Sequence, residues 1–255
     1  MGIRITILCG LAGALLVLPA AAATTIRGQG SGGANTMYIE PGHVAMRSGA
    51  EGHALTIFDA AKDRMLLVDR ARHTYQVMDA QRVQKLADQM QQMRKQLEQQ
   101  LQKLPESQRA AMRKQMGSMM PGAAKPPTVR IERGGSDRVN GFACTQAKVF
   151  LDGQARHEVC VASLDALGLS KAEYQTLTGM FAFFGKMYGK VSAGAAQLGP
   201  RTTERLMQEL GGLPVRSKDL QSGKSWQIRD VSHDAIPANT FQVPAGYREE
   251  DGFGG

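Results

Sequence analysis

The chain has 255 residues and a formal net charge of +8, from 31 lysines and arginines against 23 acidic residues. This length suffices for one large or two small domains. The basic residues are spread along the chain without a dense run, which favours a solubilising role over a nucleic-acid-binding surface. We therefore expect no nucleic-acid partner.

The first 23 residues predict an export signal. A basic start at Arg4 precedes an apolar run over 5–18, and a proline with four alanines supplies a cleavage site after Ala22 or Ala23. The run is shorter than the roughly 18 residues that a membrane span needs, so a retained anchor is the weaker interpretation. We expect a periplasmic protein with no transmembrane anchor after cleavage.

Period-two alternation begins near residue 36 and predicts an antiparallel meander. Short β-prone segments are separated by turn residues, including a Pro-Gly pair at 41–42. In the last segment Tyr75 and Val77 alternate with polar residues, which indicates a sheet with one buried face. The predicted strands cover 36–40, 43–48, 54–58, 64–68 and 73–78.

The pattern changes to that of amphipathic helices over 79–120, which we interpret as a helical hairpin inserted between strands. A Leu-Pro break at 104–105 separates the two helices, and Pro121-Gly122 ends the second. The apolar stripe of the first helix consists of Val83, Leu86, Met90, Met93, Leu97, Leu101 and Leu104.

Three interpretations of this hairpin stay open. Its apolar stripe packs on the sheet or on itself, or it meets a membrane, a lipid or a protein partner, because methionine side chains adapt to varied apolar shapes. The third is Cu(I) binding, since thioethers are soft ligands, but no histidine or cysteine adjoins them. The candidate ligands would be Met112, Met116, Met119 and Met120. We predict no cofactor and treat copper as a minor alternative.

Residues 139–161 predict a β-hairpin closed by a disulfide. A three-residue loop over 151–153, with an Asp-Gly tip, places Cys144 directly opposite Cys160. Opposed β-carbons lie about 5 Å apart, close to the range that a disulfide needs. Removal of the export segment leaves these two cysteines, so no odd thiol remains.

This register has two further consequences. Lys148 falls opposite Arg156, a like-charge pair that is mildly unfavourable. The face that carries the cysteines is otherwise polar, so we expect the disulfide to lie toward solvent. The core face is then formed by Ala147, Val149, Val159 and Val161.

Residues 163–212 are predicted to be helical again. A capping box over 170–173 starts one helix, and an aromatic-rich apolar stripe follows it, with Phe183 beside the main line. The stripe is interpreted either as a core-covering face or as the lining of a cavity for a hydrophobic ligand. Its tentative ligand-binding residues are Tyr174, Leu177, Met180, Phe181, Phe184, Met187 and Tyr188.

The last part of the chain returns to β structure. Segments 214–220 and 224–231 flank a Ser-Gly turn and predict a hairpin. A short strand is predicted over 240–243, and 248–255 is expected to be a flexible tail. We assign 24–247 to a single domain that contains the helical insertion.

Several motifs together resemble a bacterial secreted family of unknown function, which is similar in fold to the periplasmic lipoprotein carrier and its outer-membrane receptor. The resemblance implies an α+β fold with a strongly curved antiparallel sheet, an open half-barrel, and helices on its concave face. It brings no catalytic residues. The motifs are Gly-x-x-Cys at 141–144, the Asp-Gly hairpin leading to Cys160, Gly-Leu-Pro-Val-Arg at 212–216, Ser-Gly-Lys-Ser-Trp at 222–226 and Phe-Gln-Val-Pro-Ala-Gly-Tyr at 241–247.

The sequence lacks the motifs of serine hydrolases, zinc proteases and nucleotide-binding enzymes. We therefore predict a non-enzymatic periplasmic binding protein for a lipid, an acyl chain or another hydrophobic small molecule. The alternative is a cell-envelope interaction or stress protein that presents the Met- and Gln-rich hairpin to another envelope protein.

Overall fold

The computed structural model describes residues 23–49, 52–103, 105–106, 108, 127–191 and 200–250. Its strands are β1 (Thr24–Gly30), β2 (Gly33–Glu40), β3 (His43–Ser48), β4 (Ala54–Asp59), β5 (Arg64–Asp69), β6 (Thr74–Met78), β7 (Val129–Val139), β8 (Phe142–Leu151), β9 (Gln154–Ser163), β10 (Gly212–Asp219), β11 (Ser225–Ser232) and β12 (Arg248–Glu249). Its helices are α1 (Ala80–Gln102), α2 (Leu164–Leu167), α3 (Lys171–Val191) and α4 (Pro200–Leu210).

The described strands form one sheet in the order β12-β6-β5-β4-β3-β2-β1-β11-β10-β9-β8-β7. Neighbours are antiparallel except β12, which pairs in parallel with β6. The two end strands of the described sheet do not pair with each other, so the sheet is open. Register shifts interrupt the pairings β1–β11, β9–β10, β7–β8 and β8–β9, and bulges of this kind bend a sheet. The fold is therefore α+β, with a large, curved and mostly antiparallel sheet.

The predicted meander is confirmed. Strands β2 to β6 follow one another in the chain and pair in that order. The predicted Pro41-Gly42 turn joins β2 to β3, and Gly42 adopts a φ of 92°, which a side chain would disfavour. Local alternation and turn chemistry are sufficient here because each strand pairs with its neighbour in sequence.

One face of the sheet packs against the helices. Leu177 and Met180 of α3 and Val83 of α1 are buried there, together with Ile39, Val44, Phe58, Met65 and Ile228 from the strands. Gly28 on β1 is needed for this packing because a Cβ would lie 2.5 Å from the Trp226 ring. The indole nitrogen of Trp226 donates to the side chain of Asn35 at 3.2 Å.

The opposite face of β2–β6 is covered by the C-terminal segment. Ala45, Leu55, Ile57, Leu66 and Val68 form an apolar cluster, on which Phe241, Val243 and Tyr247 pack. The predicted strand at 240–243 is wrong, because the chain turns at Thr240, whose hydroxyl donates to the Pro237 carbonyl at 2.7 Å. The expected tail is also corrected at its start, because Arg248 and Glu249 pair with β6. Residues 251–255 lie outside the described residues.

The β8–β9 hairpin has the predicted disulfide but not the predicted register. Its turn has two residues, with Asp152 at φ 50° and Gly153 at φ 80°, and a register shift follows between Val149 and Phe150. Gln146 therefore lies opposite Cys160. Cys144 is the diagonal neighbour of Cys160, and the two Cα atoms are 5.5 Å apart across the bond.

Two further expectations for this hairpin are wrong. Lys148 lies opposite Glu158 rather than Arg156, and its ammonium is 3.8 Å from that carboxylate, so the expected repulsion is an attraction. The disulfide does not face solvent, since Cys144 is 6% exposed and Cys160 is 0% exposed. Both sulfurs belong to a buried cluster that includes Ala162 and Leu167. The opposite face of the hairpin, with Ala147, Val149, Val159 and Val161, packs with Leu206 of α4.

Candidate binding surfaces

The predicted capping box at the start of α3 is confirmed. The backbone N–H of Glu173 donates to the Ser170 hydroxyl at 3.2 Å, and Glu173 Oε2 accepts from the Ser170 N–H at 2.8 Å. Reciprocal bonds of this type satisfy two donors that a helix start leaves unpaired. The cap therefore fixes where α3 begins.

The tentative ligand-binding residues of α3 divide into two groups. Leu177, Met180 and Met187 are buried in the core, as is Phe183, whose ring centroid lies 5.8 Å from that of Phe58. Tyr174, Phe181 and Phe184 are partly buried and pack against the same cluster. The side chain of Tyr188 is not among those described. The buried residues therefore fill the space between α3 and the sheet, whereas the partly buried aromatic residues lie at the edge of that space.

The hydroxyl of Tyr174 is already engaged. It donates to the backbone carbonyl of Met207 at 2.7 Å and so joins α3 to α4. Burial raises the pKa of Tyr174 above its ordinary value. This contact gives the residue a packing role, whether or not a ligand binds nearby.

Two depressions on the described surface lie away from the predicted ligand-binding residues. One, of about 390 Å³, lies over β4–β6 and includes Leu55, Val68, Tyr75 and Arg72 in its lining. The other runs along α1 and is lined by polar residues such as Gln81, Lys85 and Gln92, with Ala80. The hydrophobic site at α3 stays a prediction.

Helix α1 is anchored at both ends and exposed in the middle. Asp79 caps it by accepting from the Arg82 N–H at 2.8 Å, and Val83 near the start and Leu101 near the end are buried. Between them, Met90 is 41% exposed and Met93 is 67% exposed. Twenty-three helical residues span roughly 34 Å. The predicted apolar stripe of α1 is therefore buried near its two ends and exposed to solvent in its middle.

The second predicted helix of the hairpin falls largely outside the described residues, and Met112, Met116, Met119 and Met120 lie there. The Cu(I) hypothesis therefore stays a prediction. Within the described ranges, no group of three or more His, Cys, Asp or Glu side chains is arranged to hold a metal ion. No described helix is long and apolar enough to cross a membrane.

Three hydrogen-bonded polar side chains, which we call the polar clasp, lie beside the disulfide on the same face of the sheet. Asp137 on β7 lies opposite Cys144, whereas Gln146 on β8 and Arg216 on β10 flank Cys160. Opposed residues share a face, so these side chains surround the sulfur bridge. Asp137 Oδ2 accepts from Gln146 at 3.0 Å and from Arg216 at 2.7 Å.

The polar clasp bears on two properties, the charge of Asp137 and the curvature of the sheet. The hydrogen bond from Gln146, the backbone N–H of Arg138 and the contact with Arg216 hold the pKa of Asp137 at about 2. The carboxylate is therefore ionised throughout the physiological range. Arg216 reaches Asp137 across two intervening strands, which on a flat sheet is roughly 14 Å of backbone separation. Curvature toward this face shortens that distance.

We predict that loosening the clasp exposes the disulfide to reduction. Arg216→Met and Asp137→Asn each remove the ion pair, so dithiothreitol should reduce Cys144–Cys160 several-fold faster, as measured by thiol labelling and mass spectrometry. The matched control is Arg27→Met, which removes another cross-strand pair, 2.7 Å from Asp230 on β11. Equal reduction rates in all variants would show that the clasp does not protect the sulfurs.

Fold and surface together define an α+β protein with an open, curved antiparallel sheet, a buried disulfide and an exposed amphipathic helix. The chain belongs to the family described as Domain of unknown function (DUF4412), which matches residues 111–247. All the motifs that carry the predicted family resemblance lie within that range, so the resemblance is confirmed. No curated protein matches the chain.

Solved structures resemble the chain at low identity. An uncharacterized conserved protein from Thermus thermophilus is 7% identical, with 90% of each chain covered and a TM-score of 0.42. MucB is 16% identical, with 89% of this chain and 59% of that chain covered and a TM-score of 0.29. The MucA/MucB complex of Pseudomonas aeruginosa gives 17% identity, coverage of 88% and 56%, and a TM-score of 0.27. This chain thus spans less than two thirds of the MucB chains.

Proposed function

We propose that this protein is a non-enzymatic binding protein of the bacterial periplasm that holds a partner protein on the exposed stripe of α1. The observation that carries the proposal is the position of Met90 and Met93. In the described part of the chain they are two of three large apolar side chains that are exposed, and the third, Leu220, lies elsewhere. Paired exposed methionines on one helix suit an adaptable apolar contact.

The charge around the stripe indicates the kind of partner. Helix α1 carries four basic residues (Arg82, Lys85, Arg94 and Lys95) against two acidic ones (Asp88 and Glu98), so it is basic by two charges. An apolar protein segment with acidic flanks complements this surface. A membrane surface fits less well, because interfacial helices bury large aromatic and leucine side chains, whereas the exposed apolar contacts here are methionines.

The remaining parts of the proposal concern location and shape. A buried disulfide suits an oxidising compartment, which agrees with the export signal expected at residues 1–23. In the proposed arrangement the sheet is a half-barrel whose concave face carries the helices.

Site-specific photo-crosslinking tests the proposal. A photoreactive amino acid placed at Met93 should give one discrete adduct with an envelope protein in intact cells, because the side chain points outward from α1. The matched control is the same amino acid at Leu220, which is also apolar and exposed and should give no such adduct. Identical adducts from both positions, or none from Met93, would contradict the proposal.

Binding of a hydrophobic small molecule has weaker support. Leu177, Met180 and Met187 are buried against the strands, so a ligand would have to displace packed side chains. Lipid recovered from the purified protein by organic extraction would favour this function over the partner-binding one.

A further inference from the structure

Glu173 is a buried carboxylate whose described partners are all uncharged. It is 4% exposed. Its Oε2 accepts from the backbone N–H and the hydroxyl of Ser170, at 2.8 and 2.7 Å, and its Oε1 accepts from the Thr24 hydroxyl at 2.7 Å. No lysine or arginine in the described ranges forms an ion pair with it. A buried charge without an opposite charge is costly.

The oxygen that faces Thr24 has capacity for another donor. A carboxylate oxygen can accept more than one hydrogen bond, and Oε1 accepts one from the described residues. The single hydroxyl hydrogen of Thr24 is used in that bond, so Thr24 accepts from Nδ1 of His233 at 3.1 Å. These contacts fix the start of β1 beside the first turn of α3.

The backbone next to this oxygen is where the sequence predicts export cleavage. Thr24 is the first residue of β1, and Ala23 before it is also buried. Cleavage after Ala22 or Ala23 would place a new amino group on Ala23 or on Thr24 itself. Successive Cα atoms are about 3.8 Å apart, so either amino group would lie within about one residue of the hydroxyl that Glu173 binds.

We infer that Glu173 is the binding site for the α-ammonium group that export cleavage creates, an inference that rests on the proposed export of the protein. Hydrolysis of the peptide bond by a signal peptidase consumes one water molecule. It leaves a carboxylate on the leader and an amine on this chain, which binds a proton at neutral pH. The uncleaved amide is neutral and offers Glu173 no charge.

The consequence is a link between processing and folding. β1 lies in the middle of the sheet, between β2 and β11, and α3 covers the sheet face. An ion pair between the new terminus and Glu173 adds to the hydrogen bond that already joins these two elements, and it can form only after the leader has been removed. The cleaved protein is then more stable than a form that retains a neutral amide at this position.

The test compares amino termini in the purified, folded protein and does not involve any partner. Chains that begin at Ala23 and at Thr24 are prepared with a free amine and with an acetylated one, and their Tm values are measured at pH 7. Acetylation should lower the Tm of at least one of these chains by about 3 °C. In the Glu173→Gln variant acetylation should have no effect, whereas in the Glu204→Gln control on α4 it should act as in the unmodified protein.

A pH series gives a second readout that does not require a variant to fold. An ion-paired ammonium has a pKa above the value of about 8 for a free terminus. Its stabilisation is therefore present below that value and is lost as the pH rises through the pKa of the folded state. The difference in Tm between free and acetylated forms should disappear at high pH. A difference of zero at pH 7 in both chains, or the same difference in Glu173→Gln, would overturn the inference while leaving partner binding by α1 untouched.

Discussion

Replacing Gly212 with alanine should reduce the free energy of unfolding by at least about 3 kcal/mol. A Cβ at this position would lie 2.0 Å from the carbonyl oxygen of Ala162 and 2.8 Å from its carbonyl carbon. Both are backbone atoms of β9, to which Gly212 is joined through its pairing with Ser163. The clash cannot be relieved by rotating a side chain, so the start of β10 must separate from β9. Urea unfolding followed by circular dichroism would measure the loss.

Gly179→Ala is the matched control and should have the opposite sign. A Cβ there would lie 3.9 Å from the Phe58 ring, an ordinary contact, and Gly179 is inside α3. Alanine favours a helix interior over glycine by about 0.5–1 kcal/mol, so this variant should be slightly more stable than the unmodified protein. Equal losses from both substitutions would mean that close packing of β9 and β10 is not what requires Gly212.

Gly212 is a residue whose role could not be predicted from the sequence. The residue belongs to the Gly-Leu-Pro-Val-Arg motif that carries the family resemblance, but a single sequence gives no reason for a glycine there. The reason is a contact with Ala162, which is distant in the chain and adjacent in the sheet. Arg216 in the same motif cannot be explained from the sequence either. Its contact with Asp137 depends on the side-by-side pairing of four strands, β7 to β10.

Patterns within one strand or helix are predicted well, whereas features set by tertiary packing are not. The meander, the capping box and the identity of the disulfide partners follow from local signals. The register of the β8–β9 hairpin does not, because a turn one residue shorter than expected and a later bulge together shift Cys144 by two positions against Cys160. Neither the bulge nor its position has a clear local signature in the sequence.

The sequence does contain a pattern that indicates burial of the second face of β2–β6. Met65, Leu66, Leu67 and Val68 form an unbroken apolar run in β5, which is typical of a strand that is buried on both faces. That run requires a cover on the outer face, and the C-terminal segment with Phe241 and Tyr247 provides it. The alternation at 240–243 therefore reflects side chains that pack on a sheet rather than a strand within one.

Replacing both cysteines with alanine should lower the free energy of unfolding by about 3 kcal/mol. The bond joins residues 16 positions apart, and closing a loop of that size restricts the unfolded chain by roughly this amount. Both sulfurs are buried, so the stabilisation is not weakened by solvent exposure of the bond. For a chain of this size, Tm should fall by roughly 9 °C. The measurement is thermal and urea unfolding of the Cys144→Ala, Cys160→Ala double variant beside the oxidised protein.

The m-value, which is the slope of the unfolding free energy against urea concentration, distinguishes two origins of the loss of stability in the double cysteine variant. Releasing the cross-link lets the unfolded chain expand, which exposes more surface and should raise the m-value. A loss that arises from poorer packing around the two alanines in the folded state would shift the midpoint and leave m unchanged. Arg216→Met should change neither quantity much in the oxidised protein, because exposed ion pairs contribute little to stability. A double variant as stable as the oxidised protein would mean that the clasp and the core hold this end of the sheet without the covalent bond.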